Sequence, residues 1–304
     1  MRRKKLLVTV LILSFLLVGM GCSSTKQKND LKGAIDKAIL KDSQEIEKTF
    51  EEKSDVNINI VRKVDRFLVY PDGVDESQAF IMLIPSDWEE KKQFEVPKYE
   101  ESQKKLSTEQ EENFKRAKEV AVNYINESDI IKDKESCRKF VEDTKILNVK
   151  FTDEEYCNTA MVTCNNTIYL NENLYEYFSE YLYLHELIHV ISNSTNKGTK
   201  YECSSYRASK INEATTDLIA LELVKENEMQ IKYESNYGVY YQFAYYLIAK
   251  YDFLQTYFYS DGYDSMISKL GKDKVDVYFL MVNYIEDTYD IICYIVNELY
   301  KWQT

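Results

Sequence analysis

The stretch Tyr183-Leu184-His185-Glu186-Leu187-Ile188-His189-Val190-Ile191 decides how this chain is read. It sets H-E-x-x-H inside an apolar run with helical spacing. On a helix, positions i and i+4 share a face, so both imidazoles point the same way and can grip one metal ion. Glu186 is the next residue round the helix and flanks that face. Its carboxylate can take a proton from a metal-activated water. His185 and His189 are the only histidines among 304 residues. Two residues this rare falling at ligand spacing on a predicted helix, with Glu between them, is about a one-in-a-thousand event. That rarity disfavours the competing reading, two core histidines that merely share a face.

Zinc that keeps one position open for water needs three protein ligands. No third histidine exists, so the third ligand must be Asp, Glu or Cys. Ile211-Asn212-Glu213-Ala214-Thr215-Thr216-Asp217-Leu218 supplies a candidate on the next predicted helix, 24 residues after His189. Glu213 and Asp217 are again i and i+4, one turn apart on one side. Glu213 can bind the metal while Asp217 accepts the far N–H of a ligand imidazole and fixes the ring.

H-E-x-x-H followed by N-E-x-x-x-D resembles the gluzincin class of zinc metallopeptidases, the thermolysin-like enzymes, over residues 150–230, roughly a quarter of the chain. The resemblance implies an α+β fold. Its peptidase domain has an active-site helix packed on a small mixed sheet and a mainly helical C-terminal part. It also implies one Zn2+ per chain held by His185, His189 and Glu213, with Glu186 as general base and acid. Asp217 would orient the first histidine and Asn212 would support the site. Thermolysin-like enzymes carry a further histidine that stabilises the oxyanion, and this chain has none; Ala214 also stands where Gly is usual after the ligand Glu. Tyr or Arg must then stabilise the oxyanion. Tyr237, Tyr240 and Tyr241 are the candidates, with Tyr201, Tyr206 and Arg207 before them. The tyrosine-rich stripe runs on to Tyr300, so composition alone accounts for many of these residues. By the same resemblance the strand Thr167-Ile168-Tyr169-Leu170 forms the edge of the cleft and pairs with an extended substrate.

At the N-terminus, Arg2, Arg3, Lys4 and Lys5 precede a 13-residue apolar run, Leu6 to Val18, and then Gly19-Met20-Gly21-Cys22. A charged start, a short apolar run and small residues read as a secretory signal over residues 1–21 rather than a spanning helix. Cys22 resembles the lipidated cysteine of a bacterial lipobox, with Gly19 in place of the usual Leu. Residues 22–30 make a polar tether, so the expected location is the extracytoplasmic face of a bacterial membrane, or the medium if Cys22 is not lipidated. Removing residues 1–21 takes away four basic side chains and lowers the net charge from −12 by four to −16. A surface that acidic repels phosphate backbones and excludes a general nucleic-acid binder. Five cysteines remain (Cys137, Cys157, Cys164, Cys203 and Cys293), an odd count without C-x-x-C that points mainly to free thiols, with Cys157–Cys164 as a weak candidate bridge.

The mature chain divides near residue 100. Residues 31–100 read as a small α+β region: a helix over 31–53, then strands at 56–60, 66–70 and 79–84 with a Pro71-Asp72-Gly73 turn. Residues 86–112 read as a charged linker. Residues 101–304 form the peptidase domain, with a helix over 108–126 and strands at 146–152, 159–164 and 167–170. Asn173 and Glu176 resemble a capping box that opens a helix ending at Ser192-Asn193-Ser194. A helix over 206–227 follows, then helical sequence after 236 with a break at Ser260-Asp261-Gly262.

The expected function is a membrane-anchored zinc endopeptidase acting on a peptide or protein substrate; no G-A-M-E-N exopeptidase signature is present. The alternative is a non-catalytic surface lipoprotein that uses the same fold as a binding module. A metal-delivery protein is disfavoured because no His-rich tract exists.

Overall fold

Ile35, Ile39 and Ser43 stand four residues apart and are all buried, so the first helix, α1 (Ala34–Glu51), lays one stripe against the protein. The structure is a computed structural model that describes residues 33–51, 58–86, 88, 96–152, 160–162, 166–195, 209–232, 238–259 and 262–280. These residues lie in one unit of α+β class. After α1 comes an antiparallel meander of β1 (Ile58–Arg62), β2 (Arg66–Pro71) and β3 (Phe80–Leu83), in the order β1-β2-β3. Its strands alternate as period-2 sequence requires: Phe67, Val69 and Met82 are buried, whereas Ile81 and Leu83 are exposed. Gly73, at φ +84°, takes the left-handed turn position after Pro71.

The second sheet has the order β4-β5-β7-β6, with β4 (Tyr99–Glu101), β5 (Lys145–Phe151), β6 (Ala160–Val162) and β7 (Thr167–Asn171). β5 and β7 are parallel, and β4 and β6 run antiparallel to their neighbours, so the sheet is mixed. The strand expected at the cleft edge, Thr167–Leu170, is therefore interior. Among the described residues the edges are β4 and β6, and β6 packs on the helix that carries H-E-x-x-H. β4 lies in the stretch read as a linker. All three of its residues are exposed, so it carries no hydrophobic alternation; backbone pairing with β5 and the Tyr99 ring edge-on to Tyr169 at 5.2 Å hold it.

Helix α2 (Thr108–Glu127) buries Ala117, Val120, Ala121, Tyr124 and Ile125 and opens on a full capping box between Ser107 and Gln110. Helix α3 (Lys134–Asp143) was not foreseen, because only Cys137 and Val141 of its ten residues are buried. Cys137 is a free thiol, and its burial pushes its pKa up; the other four cysteines of the mature body lie outside the described residues. The capping box expected at Asn173 is not formed. Asn173 and Glu176 sit in a 3-10 helix (Glu172–Tyr177) capped by Asn171, which lets Leu174 and Phe178 turn into the core. Helix α4 (Glu180–Thr195) begins after it and runs straight through Ser192-Asn193-Ser194. The two serines do not break it because they bond to backbone carbonyls: Ser194 Oγ donates to Ile191 O at 2.7 Å and Ser192 Oγ to Tyr257 O at 3.3 Å, and Thr195 Oγ1 donates to Ser192 O at 2.8 Å.

The later helices are α5 (Ser209–Glu226), α6 (Gly238–Tyr251), α7 (Phe253–Tyr259) and α8 (Gly262–Leu270), followed by helical residues 272–280. Every residue of α4 from Glu180 to Ser194 is buried, and the helix packs against α2, α3, α5 and α7. Asp252, at φ +53°, separates α6 from α7, and the expected break at 260–262 separates α7 from α8. α1 packs on α6 and α5, and one apolar cluster holds residues from both sides of position 100. Asp276 is fully buried and ties the two ends together: it accepts from Trp88 Nε1 at 2.8 Å, Lys272 Nζ at 2.8 Å and Arg62 at 3.1 Å. No helix of the described residues is long and apolar enough to cross a membrane. Cys22 and the tether lie outside the described residues.

Asp36 is a second buried carboxylate, accepting from Tyr124 Oη at 2.9 Å and Ser128 Oγ at 2.7 Å. Burial raises its pKa above the usual carboxylate value, and the two hydroxyl donors only partly offset this. The folded state therefore holds the proton to higher pH than the unfolded state. Stability from this group should fall as pH rises from about the ordinary Asp value through the raised one. Unfolding free energies measured by urea titration across that window should have a slope against pH that becomes more positive in Asp36→Asn.

Candidate metal centre

Two neighbouring helices bring the site together. α4 supplies His185, Glu186 and His189, and α5 supplies Asn212, Glu213, Thr216 and Asp217. The local sequence explains the placement. Leu184, Leu187, Ile188 and Ile191 are fully buried and fix the rotation of α4, which aims the i, i+4 pair at α5. The two imidazoles are 8% and 4% exposed. Their Nε2 atoms lie 3.2 Å apart, and each is 3.2 Å from Glu213 Oε2.

The partners behind the rings fix their tautomers. His185 Nδ1 is 2.8 Å from Asp217 Oδ1, and a carboxylate oxygen accepts, so the proton is on Nδ1. Thr216 Oγ1 donates its one hydrogen to Asn212 O at 2.8 Å. It must therefore accept from His189 Nδ1 at 3.3 Å and from Tyr257 Oη at 2.6 Å. Both Nε2 atoms then face Glu213 Oε2, so two imidazole nitrogens and a carboxylate oxygen converge on one point, a donor set that a metal ion could take. A tetrahedral ion with bonds of about 2.0–2.1 Å sets its donor atoms about 3.3–3.4 Å apart, so the observed triangle has the size zinc requires. The ligand set of two imidazoles and one carboxylate also suits it.

The electrostatics follow from the same contacts. Burial pulls the His185 pKa down, but its bonds to Asp217 and Glu213 outweigh this and hold it well above the ordinary imidazole value. Burial also pushes Glu213 up, yet the two imidazoles more than reverse it and hold the carboxyl far below its usual range. Glu186 is 4% exposed, and among the described residues it has no hydrogen-bond or ion-pair partner. Burial raises its pKa despite the two histidines beside it. It is a basic group beside the ligands and left available.

Asp217 is fully buried and holds the position behind His185 expected of it. It also accepts from the hydroxyls of Tyr181 and Tyr241. Tyr241, an oxyanion candidate, therefore spends its hydroxyl on Asp217. Tyr240, another, is fully buried with the Lys210 ammonium 5.8 Å from its ring centre. Tyr237, Tyr201, Tyr206 and Arg207 lie outside the described residues. Asn212 contributes its backbone carbonyl to Thr216; its buried side-chain oxygen has no hydrogen-bond partner among the described residues. Tyr181, Thr216 and Tyr257 were not foreseen. Tyr181 stands four before His185 and Thr216 three after Glu213, so helical spacing carried a signal for both. Tyr257 carried none. No protein-family model matches the chain, and comparison with curated proteins and with solved structures gives no match.

Removing the carboxylate behind His185 should loosen the ring without deleting a ligand. Asp217→Ala is expected to weaken zinc affinity roughly 10–100-fold, read by competition with a chromogenic chelator. An unchanged curve would remove Asp217 from the site.

Proposed function

We propose that this chain is a zinc-dependent endopeptidase of gluzincin type, held at the extracytoplasmic face of a bacterial membrane through lipidated Cys22. The observation that carries the peptidase reading is the triangle of His185, His189 and Glu213 donor atoms with a buried Glu186 beside it that has no hydrogen-bond partner among the described residues. His185, His189 and Glu213 would hold one Zn2+ per chain. A zinc ion there supplies a Lewis acid that polarises a peptide carbonyl and acidifies water. Glu186 takes the proton of the attacking water and returns it to the leaving amine, a role suited to a carboxylate whose burial raises its pKa. Asp217, backed by Tyr181 and Tyr241, would hold the His185 ring with Nε2 turned toward Glu213 and the metal position. β6, the strand at the sheet edge beside α4, suits an extended substrate that pairs through its backbone.

The test compares the protein with Glu186→Gln at matched zinc content on a quenched peptide library. The amide keeps the size of the side chain but cannot accept a proton. Zinc should stay near one equivalent by elemental analysis while cleavage falls at least about 10²–10⁴-fold. Equal cleavage by both proteins would assign the activity elsewhere. No cleavage by either, with zinc bound in both, would favour the binding-module alternative.

A further inference from the structure

We propose that Tyr257 is the positioning residue of the second ligand histidine, acting through Thr216. The inference rests on the metal reading above and adds to it a residue from the C-terminal helices. The two histidines are backed by unlike groups. Behind His185 stands a carboxylate; behind His189 stands a neutral hydroxyl, Thr216 Oγ1, which accepts the Nδ1 proton at 3.3 Å. A neutral acceptor polarises an imidazole less than an anion does, so whatever strengthens it matters more. Tyr257 Oη, 2.6 Å from the same oxygen, is placed to donate to it, because Thr216 commits its own hydrogen to Asn212 O. Donation from the phenol draws charge onto the threonine oxygen and makes it a better acceptor for His189.

The phenol is held where this requires. Tyr257 is fully buried, and burial raises its pKa, so it stays a donor at neutral pH. Helix α7 is anchored through its backbone on one side and a side chain on the other. Ser192 Oγ donates to Tyr257 O at 3.3 Å. Tyr259 Oη donates to Ile130 O at 3.0 Å and accepts from Lys132 N at 2.6 Å. α7 is therefore fastened to the metal-bearing helix and to the α2–α3 connection, with its central tyrosine aimed at Thr216.

Tyr257→Phe tests this, since it keeps the ring and its packing and removes only the donor. Zinc affinity should fall about 10-fold, the weaker end of effects from groups behind a ligand, and Thr216→Val should fall up to about 100-fold. Thr216→Ser keeps the hydroxyl and should bind close to the unaltered protein. Tyr183→Phe is the control: Tyr183 is also fully buried on α4, but its hydroxyl has no hydrogen-bond partner among the described residues, so affinity should not change. A second readout is the imidazole 1H–15N spectrum, which holds signals from only two histidines. Tyr257→Phe should shift the His189 Nδ1–H signal and leave that of His185 in place. Identical zinc affinity and an unmoved His189 signal in Tyr257→Phe would overturn this inference alone. An equal loss in Tyr183→Phe would also overturn it, by assigning the effect to packing. An unaltered protein that binds no zinc would overturn the metal reading and this inference together.

Discussion

Two imidazole nitrogens and a carboxylate oxygen are held 3.2 Å from one another, and the surrounding structure serves that constraint. Each donor must be held from behind, or it would swing away. α5 does most of this from one stripe: Glu213 is a donor itself, Thr216 three residues on backs His189, and Asp217 four residues on backs His185. The charges make the same demand. Glu186, Glu213 and Asp217 gather three carboxylates around two imidazoles; Glu213 and Asp217 add to the burial that raises Glu186, while the imidazoles hold Glu213 down.

Such a site needs a rigid container. Burying ionisable groups costs several kcal/mol per ion even after relaxation. The container here is apolar packing on every side of α4, where Leu184, Leu187, Ile188 and Ile191 are fully buried and contribute about 1.5–3 kcal/mol each. The site is thus not a loop laid over a scaffold but part of the core itself. The tyrosines complete it: their rings fill apolar space while their hydroxyls reach Asp217 and Thr216.

What was legible in the sequence follows from this arrangement. H-E-x-x-H and N-E-x-x-x-D are local patterns on helices, so spacing alone placed both imidazoles, Glu213 and Asp217 on facing sides. Elements with a periodic apolar stripe, such as α1 and α2, were readable for the same reason. β4 and α3 were not, because their residues are mostly polar and backbone pairing or two buried side chains hold them. The serines of α4 misled because they bond to backbone carbonyls inside the core instead of to solvent. Tyr257 was illegible for a different reason. Its partner lies 41 residues away, and nothing in a tyrosine-rich stretch distinguishes the one ring that turns inward.

The Asp276 cluster has a bearing on how the chain acquires its structure. Its bonds to Arg62 and Trp88 join residues 214 and 188 positions apart. Ribosomes deliver a chain from its N-terminus, so β1 and Trp88 emerge long before their acceptor exists. The first sheet, with Ile81 and Leu83 already exposed on one face, must wait for almost the whole polypeptide before its last polar contacts close. Contacts of such separation slow folding and lengthen the time that apolar strands stay uncovered. The earliest strands to be made are therefore among the last to gain their full set of polar contacts.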